Sequence, residues 1–161
     1  MRTARNRDTK TKGDTKMIAI GSDHGGYELK GHIIKHLTER GIEVKDYGTY
    51  TEDSVDYPDS AKPVCEAVLG GECERGILIC GTGIGISMAA NKYDGIRAAL
   101  CGDVFSAKMA KEHNNAHIIC LGGRVTGREL AFMIVDTFLD AEFLGGRHQQ
   151  RIDKIHAIEK A

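Results

Sequence analysis

The stretch Ile77-Leu78-Ile79-Cys80-Gly81-Thr82-Gly83-Ile84-Gly85-Ile86-Ser87 decides how this chain folds. Its first three residues form a short apolar run with the length and β-branched content of a buried strand. The glycines that follow Cys80 allow a tight turn, and residues 86–91 then have the composition of a helix. A strand, a glycine turn and a helix in direct succession predict a fold in which strands alternate with helices.

The same alternation runs from Met17 to the end of the chain. Besides the strand that ends at Cys80, we predict strands at 17–21, 42–47, 96–101 and 117–121. We predict helices at 25–40, 58–69, 86–91, 104–113, 128–139 and 147–160. This pattern predicts an α/β fold, a three-layer αβα sandwich around a Rossmann-like five-stranded parallel sheet plus a C-terminal helix. Ligands of such folds bind outside the carboxyl ends of the strands.

Length, composition and charge narrow the class of protein. With 161 residues, 41% of them apolar, and a formal net charge of -1, the sequence predicts a compact domain. These values argue against a disordered protein and against a nucleic-acid binder driven by bulk charge. No apolar run reaches the roughly 20 residues that cross a bilayer, so no membrane partner is expected. Five cysteines without paired spacing indicate reduced thiols in a cytoplasmic protein.

Residues 1–16 differ in composition from the rest of the chain. They contain six Arg or Lys residues against two Asp, and almost nothing apolar. We expect a disordered basic tail at 1–16, followed by one domain over 17–161. We favour a dispensable extension ahead of Met17 over a segment that binds nucleic acid or an anionic surface.

Several polar residues follow predicted strands, and we place His113 and Asn114, shortly before the fifth strand, in the same group. Asp23 and His24 follow the first strand, and an adjacent carboxylate and imidazole suit hydroxyl recognition and proton transfer. The alternative for Asp23 is a cap on the first helix. The turn lacks the G-x-G-x-x-G pattern of dinucleotide binding, and no G-x-x-x-x-G-K-[ST] occurs in the chain.

Cys80 is the strongest chemical candidate in the sequence. A thiol beside loop amides and the start of a helix is favoured as a thiolate, and the same amides can hold an oxyanion next to it. The alternative is structural, because buried cysteine often acts as a small hydrophobe and Cys101 and Cys120 also lie at predicted strand ends. Only Cys80 precedes a glycine loop. No C-x₂-C or H-x₃-H spacing supports zinc, so no metal site is predicted.

Arg147 and Arg151 are candidates for phosphate binding. They stand four residues apart and share one face of the last predicted helix, where two guanidinium groups suit a phosphate clamp. A solvated basic face is the alternative. His113 closes the fourth predicted helix, where histidine often only complements the helix dipole.

The motifs together resemble the B-type ribose-5-phosphate isomerases. The wider family includes galactose-6-phosphate isomerase subunits and isomerases of allose 6-phosphate. The matching motifs, in order, are S-D-H-G-G at 22–26, D-Y-P at 56–58, C-G-T-G-I-G-I-S at 80–87, A-A-N-K at 89–92, H-N at 113–114 and G-G-R-H-Q-Q-R at 145–151. The resemblance covers Met17 to about Glu159. One branch of the family has a glutamate base where this chain has Ile86, so Cys80 places the chain in the cysteine branch.

The resemblance implies an aldose–ketose isomerase that acts through an enediolate without metal or cofactor. It implies that Cys80 is the base, that Thr82 assists proton transfer between the sugar oxygens, and that Asp23 and His113 open the furanose ring. The hole for the enediolate oxygen is implied at Gly81, Gly83, Gly85 and Asn114. The phosphate ligands are implied at His24, Arg124, Arg147 and Arg151, and a pocket-lining role at Tyr57.

The resemblance also implies a homodimer or homotetramer with the site at the dimer interface. His113, Asn114 and Arg124 are then expected to reach the pocket of the partner subunit. The expected substrate is ribose 5-phosphate, and allose 6-phosphate or galactose 6-phosphate is the alternative. Two further alternatives are a subunit of a heteromeric galactose-6-phosphate isomerase and a non-catalytic, flavodoxin-like module that binds phosphate or a nucleotide. No nucleic-acid partner is expected.

Overall fold

Strands and helices alternate through residues 17–161, which are the residues that the computed structural model describes. The strands are β1 (Met17–Ser22), β2 (Val44–Asp46), β3 (Cys73–Cys80), β4 (Ala98–Leu100) and β5 (Ile118–Gly122). The helices are α1 (Tyr27–Glu39), α2 (Tyr57–Leu69), α3 (Ile84–Ala90), α4 (Val104–Glu112), α5 (Arg128–Asp140) and α6 (Arg147–Glu159). The disordered tail predicted at 1–16 lies outside the described residues. None of the helices in 17–161 has the length and apolar character needed to span a membrane.

The strands form one parallel sheet in the order β2-β1-β3-β5-β4, which confirms the predicted α/β fold. From β1 the chain moves outward to β2, and then returns to place β3 on the other side of β1. The chain therefore leaves β1 toward one layer of helices and leaves β3 toward the other. A crevice remains between the carboxyl ends of these two strands. Such a switch in strand order is where α/β folds bind their ligands.

Two apolar cores cover the two faces of the sheet. Helices α1, α4 and α5 pack on one face, where Ile77 and Ile79 of β3 contribute to the core. Helices α2 and α3 pack on the other face, which receives Leu78 and Cys80. This alternation follows from the pleat of a strand that is buried on both sides. The Cys80 side chain consequently lies in the layer of α2 and α3.

The C-terminal helix α6 was predicted and is confirmed, and it docks at the amino ends of the strands. It buries only His148 and Ile152. Near its end, His156 contacts the Arg97 guanidinium at 2.6 Å, and a Glu159 carboxylate oxygen accepts the Gly95 N–H at 3.0 Å. Gly95 and Arg97 both precede β4, so α6 is fixed to the amino edge of the sheet.

Three details of the strands differ from the prediction. Strand β3 begins earlier than its apolar run, because Arg75 is accommodated there: it is 4% exposed and donates to the carbonyls of Phe138 and Leu139 at 2.7 and 2.9 Å. Strands β2 and β4 each have three residues where six were predicted. Cys120 lies in the middle of β5 and not at its end, so its side chain belongs to the core.

Candidate active site

The loops after β1, β3 and β5 meet at the carboxyl edge of the sheet. The Asp23 N–H donates to the Ile79 carbonyl at 3.2 Å, and the Arg124 N–H donates to the Gly81 carbonyl at 3.0 Å. These bonds bring Asp23, Cys80 and Arg124 to one end of the crevice between β1 and β3. The structure thus gathers residues that stand a hundred positions apart in the sequence.

Glycines allow these three loops to touch main chain to main chain. A β-carbon at Gly25 would lie 2.9 Å from the amide nitrogen of Gly81, and one at Gly122 would lie 2.7 Å from the Thr82 carbonyl oxygen. A β-carbon at Gly123 would lie 2.5 Å from the Gly25 carbonyl oxygen. We call Gly25, Gly122 and Gly123 the glycine junction. Sequence reasoning missed its last two members, although a Gly-Gly pair directly after a predicted strand was visible.

The glycine junction predicts a loss of both stability and turnover in Gly123→Ala. The added methyl group must push the loops after β1 and β5 apart, which lowers the free energy of unfolding by about 1–3 kcal/mol. The loop that carries Thr82 moves with them, so kcat falls as well. Gly127→Ala is the matched control, because a β-carbon there meets nothing within 4 Å. Denaturant unfolding and kcat are measured for both variants. Equal unfolding midpoints for the two would contradict the close contact.

The Cys80 sulfur accepts a hydrogen bond from the main chain. The side chain is 3% exposed, and the Gly83 N–H donates to its Sγ at 3.1 Å. Gly83 adopts φ +80°, a left-handed conformation that glycine takes without strain and that aims its amide back at the sulfur. An N–H donor at this distance stabilises a thiolate more than a thiol.

The other four cysteines are buried thiols whose pKa is raised. Burial raises the pKa of Cys65 to about 12 and the pKa of Cys101 to about 11. Burial also raises the pKa of Cys73 and places the pKa of Cys120 well above its ordinary value. These thiols therefore stay protonated at neutral pH.

Loop amides beside Cys80 are free to bind an anion. Within residues 17–161, the N–H groups of Gly81, Thr82 and Gly85 donate to no acceptor. The Thr82 hydroxyl accepts the Ile84 N–H at 3.1 Å, which leaves its proton available for donation. Tyr57 closes this loop from the side, since a β-carbon at Gly85 would lie 2.6 Å from its ring. Preorganised amides of this kind form oxyanion holes.

Asp23 and His24 are both held by main-chain amides. An Asp23 carboxylate oxygen accepts the Gly25 N–H at 2.9 Å and caps the one-turn 3₁₀ helix at His24–Gly26. The capping alternative is therefore correct, but it uses one carboxylate oxygen and leaves the other for chemistry. His24 Nδ1 accepts the Val55 N–H at 3.2 Å. The ring proton of neutral His24 must then sit on Nε2, where it can be donated to an anion.

Two cavities lie at the loops of this edge of the sheet, and Cys80 lines neither of them. The larger one, of about 660 Å³, lies between the loops after β1 and β5 and is lined by His24, Gly25 and Arg124 among others. The second, of about 480 Å³, is lined by Tyr57 and Gly85 together with residues of α3. Both have the volume of small-molecule sites. In residues 17–161 no three His, Cys, Asp or Glu side chains come together as a metal site would require.

His113 and Asn114 lie at the opposite edge of the sheet, and our placement of them at the carboxyl ends of the strands is wrong. Arg97, directly before β4, donates to the Asn114 carbonyl at 3.0 Å. In the β3–β5 ladder, Gly76 pairs with Ile118 and Cys80 with Gly122, so the amino edge is about 13 Å away from Cys80. The physical reason is that a helix between two parallel strands returns the chain to the amino edge.

Arg147 and Arg151 belong to the same half of the molecule as His113. The His148 ring stacks on the His113 ring with centroids 4.2 Å apart, which places the start of α6 beside the end of α4. Both arginines are exposed there. Arg124 behaves differently from what the resemblance implied: its guanidinium lies about 3.4 Å from the β-carbon position of Gly81 in its own chain.

One chain therefore holds its candidate residues in two separate groups, which we name the carboxyl-edge half-site and the amino-edge half-site. The carboxyl-edge half-site comprises Asp23, His24, Tyr57, Cys80, Gly81, Thr82, Gly83, Gly85 and Arg124. The amino-edge half-site comprises His113, Asn114, Arg147 and Arg151. The first holds a thiol, a carboxylate and free amides, and the second holds an imidazole, an amide and two guanidinium groups.

Known proteins resemble this chain along almost its whole length. The sequence profile of the Ribose/Galactose Isomerase family matches residues 18–155. A relative from Escherichia coli, "Ribose-5-phosphate isomerase B", is 54% identical over 90% of this chain and 97% of its own length. A solved ribose-5-phosphate isomerase B from Clostridium thermocellum is 60% identical with a TM-score of 0.88, over 89% of this chain and 97% of the other. A ribose 5-phosphate isomerase from Thermotoga maritima is 56% identical with a TM-score of 0.87, over 88% and 98%.

Proposed function

Since this chain belongs to the ribose/galactose isomerase family and is an aldose–ketose isomerase, we propose that it interconverts ribose 5-phosphate and ribulose 5-phosphate through an enediolate, with Cys80 as the base. We assign this activity to residues 17–161. The observation that carries the proposal is the Gly83 amide on the Cys80 sulfur, next to loop amides that have no acceptor among the described residues.

The chemistry requires a base and a place for negative charge. The proton on C2 of the open-chain aldose is weakly acidic, and charge develops on the carbonyl oxygen as that proton leaves. The Cys80 thiolate takes the proton from C2 and returns it to C1. A positioned base contributes a factor of about 10²–10⁴ to the rate. The amides of Gly81 and Gly85 stabilise the enediolate oxygen, and one such donor is worth about 3 kcal/mol.

Two further groups of the carboxyl-edge half-site handle oxygen-bound protons. The furanose ring must open before isomerisation, which moves a proton from O1 to O4. The free carboxylate oxygen of Asp23 suits the removal of the O1 proton, because its other oxygen is already held by the Gly25 amide, and His113 of the other subunit delivers a proton to O4 as the C1–O4 bond breaks. Thr82 donates its hydroxyl proton toward the sugar oxygens while the Ile84 N–H fixes its orientation.

The phosphate is bound at a distance from the reacting carbons. His24 can donate its Nε2–H to the phosphate without a positive charge. Arg124 directly follows the glycine junction and lies at the same edge of the sheet. Binding energy from a remote phosphate holds C2 against the base, which is how orientation is converted into rate. Arg147 and Arg151 supply the remaining charge from the amino-edge half-site.

The two half-sites are completed by a second copy of the chain. In a two-fold symmetric dimer, the carboxyl-edge half-site of one subunit faces the amino-edge half-site of the other, which produces two whole sites. The separation of His113 from Cys80 within one chain supports this arrangement. The five unpaired cysteines support a location in a reducing compartment, the cytoplasm.

A side-by-side assay tests the substrate. We expect kcat/KM for ribose 5-phosphate to exceed the values for allose 6-phosphate and galactose 6-phosphate, and a chelator to leave all three rates unchanged. A higher value for either hexose phosphate would reassign the substrate. Activity lost to the chelator would overturn the metal-independent mechanism. A protein that binds all three sugars without turnover would support the binding-module alternative.

A further inference from the structure

We propose that Arg97 is a positioning residue for the amino-edge half-site. Its guanidinium fixes the main chain at Asn114 and Asn115, and so determines where the His113 ring and the Asn114 side chain point. This inference rests on the shared site proposed above, in which the resemblance gives His113 a part in ring opening and Asn114 a part in the hole for the enediolate oxygen. Arg97 itself touches neither the thiol nor the loop amides, so it acts through the segment that it holds.

The Arg97 guanidinium grips two consecutive carbonyl groups. Its Nε–H donates to the Asn114 carbonyl at 3.0 Å, and an Nη2–H donates to the Asn115 carbonyl at 2.8 Å. A planar fork with several fixed donors is suited to this double contact, which a lysine ammonium cannot reproduce. The result is a segment held in orientation as well as in place.

Arg97 is in turn fixed to the edge of the sheet. Its main-chain N–H donates to His117 Nδ1 at 3.1 Å, and its carbonyl accepts the His117 N–H at 2.8 Å. His117 directly precedes β5. The position of the Asn114 main chain is therefore fixed relative to β5. Strand β5 pairs with β3, the strand that ends at Cys80.

The gripped segment contains a residue in the left-handed region. Asn115 adopts φ +45°, and among the described residues it is the one non-glycine residue with positive φ. The Lys111 ammonium donates to its side-chain oxygen at 2.8 Å, and its own N–H donates to the Lys111 carbonyl at 3.1 Å. Helices often end on a left-handed asparagine of this kind, and the contacts around the residue determine where the turn lies. The Arg97 contact with the Asn115 carbonyl is one of these contacts, and Asn115 directly follows Asn114.

The same guanidinium is linked to the helix that carries the phosphate ligands. An Arg97 Nη1–H donates to His156 Nε2 at 2.6 Å, so neutral His156 carries its proton on Nδ1, which lies 3.2 Å from a Glu159 carboxylate oxygen. Both residues belong to α6, where His148 stacks on His113. Arg97 thus sets the position of the His113–Asn114 pair relative to α6 with its two arginines.

A double-mutant cycle tests this inference. We expect Arg97→Lys to fold normally and to lower kcat about 10- to 100-fold, because a displacement of about 1 Å at a reacting group has effects of that size. We expect Arg97→Lys combined with Asn114→Ala to lose less than the product of the two single losses, since the effect of Arg97 through Asn114 is then already removed while its effect through His113 remains. Arg40→Lys is the matched control: its partners are Asp136 and Asp140 on α5, and its kcat is expected to equal that of the unmodified protein.

Thermal unfolding of every variant accompanies the kinetics. Strictly additive losses in the double variant, or an unchanged kcat in Arg97→Lys, would overturn the positioning role. If Arg97→Lys unfolds early, Arg97→Gln is measured in the same cycle below its unfolding temperature, and the same criterion of additivity applies. Normal turnover by Asn114→Ala would instead contradict the role proposed for Asn114. The cycle is then repeated with His113→Ala, and additive losses there would overturn the role of Arg97.

Discussion

Cys80→Ala is expected to lower kcat for ribose 5-phosphate by about 10²–10⁴-fold, the contribution of a positioned base. Binding of the sugar phosphate should change little, because the phosphate contacts proposed for His24 and Arg124 do not involve the sulfur. The fold should also persist, since the side chain contributes one small group to the core of α2 and α3. Steady-state kinetics give kcat, and equilibrium binding of ribose 5-phosphate to the variant gives the affinity.

Cys101→Ala is the matched control for this experiment. Cys101 directly follows β4, is as buried as Cys80, and has its pKa raised to about 11 by burial. Its replacement should leave kcat unchanged. Near-normal turnover by Cys80→Ala would sink the assignment of the base. Equal losses in both variants would show that the effect comes from the core and not from the thiolate.

A mixture of two inactive variants is expected to recover activity. Cys80→Ala damages the carboxyl-edge half-site and His113→Ala damages the amino-edge half-site, so each homodimer lacks a working site. A mixed dimer places both changes in one site and leaves the other site whole. With random exchange of subunits, about a quarter of all sites are then intact. The measurement is specific activity before and after the two proteins are unfolded and refolded together.

The control mixture combines Cys80→Ala with Asp23→Ala. Both changes lie in the carboxyl-edge half-site of their own chain, so every site of a mixed dimer carries one of them. No recovery is expected from this mixture. Recovery there, or none from the Cys80 and His113 pair once differently tagged chains have been shown to co-purify, would contradict a site shared between subunits.

The sequence predicted that Asp23, Cys80 and Arg124 follow strands of one parallel sheet, because that placement depends on local signals. The apolar run, the glycine loop and the polar residues after a strand are each visible within about ten residues. Parallel strands then bring Asp23 and Cys80 to the same edge without further information. The order of the strands could not be derived, since alternation alone does not say that β1 lies between β2 and β3.

The amino-edge half-site was misplaced for a different reason. His113 and Asn114 were grouped with residues that follow strands, although a segment that precedes a parallel strand belongs to the opposite edge. The direction of the chain alone therefore places His113 and Asn114 at the amino edge of the sheet. The contacts of Arg97 with Asn114 and of Arg75 with α5 were beyond prediction, because each joins side chains and carbonyls that only tertiary structure brings together.

The glycine junction has a consequence for the entropy of binding. The amides around Gly81 belong to the main chain, and contacts between main-chain atoms of neighbouring loops fix their positions. They therefore lose no side-chain conformational entropy when the sugar binds. Arg147 and Arg151 are exposed and have long side chains, and ordering each of them costs up to about 2 kcal/mol. The proposed hole for the developing charge thus has its final geometry before substrate binds, whereas the proposed phosphate clamp of Arg147 and Arg151 becomes ordered only when the substrate binds.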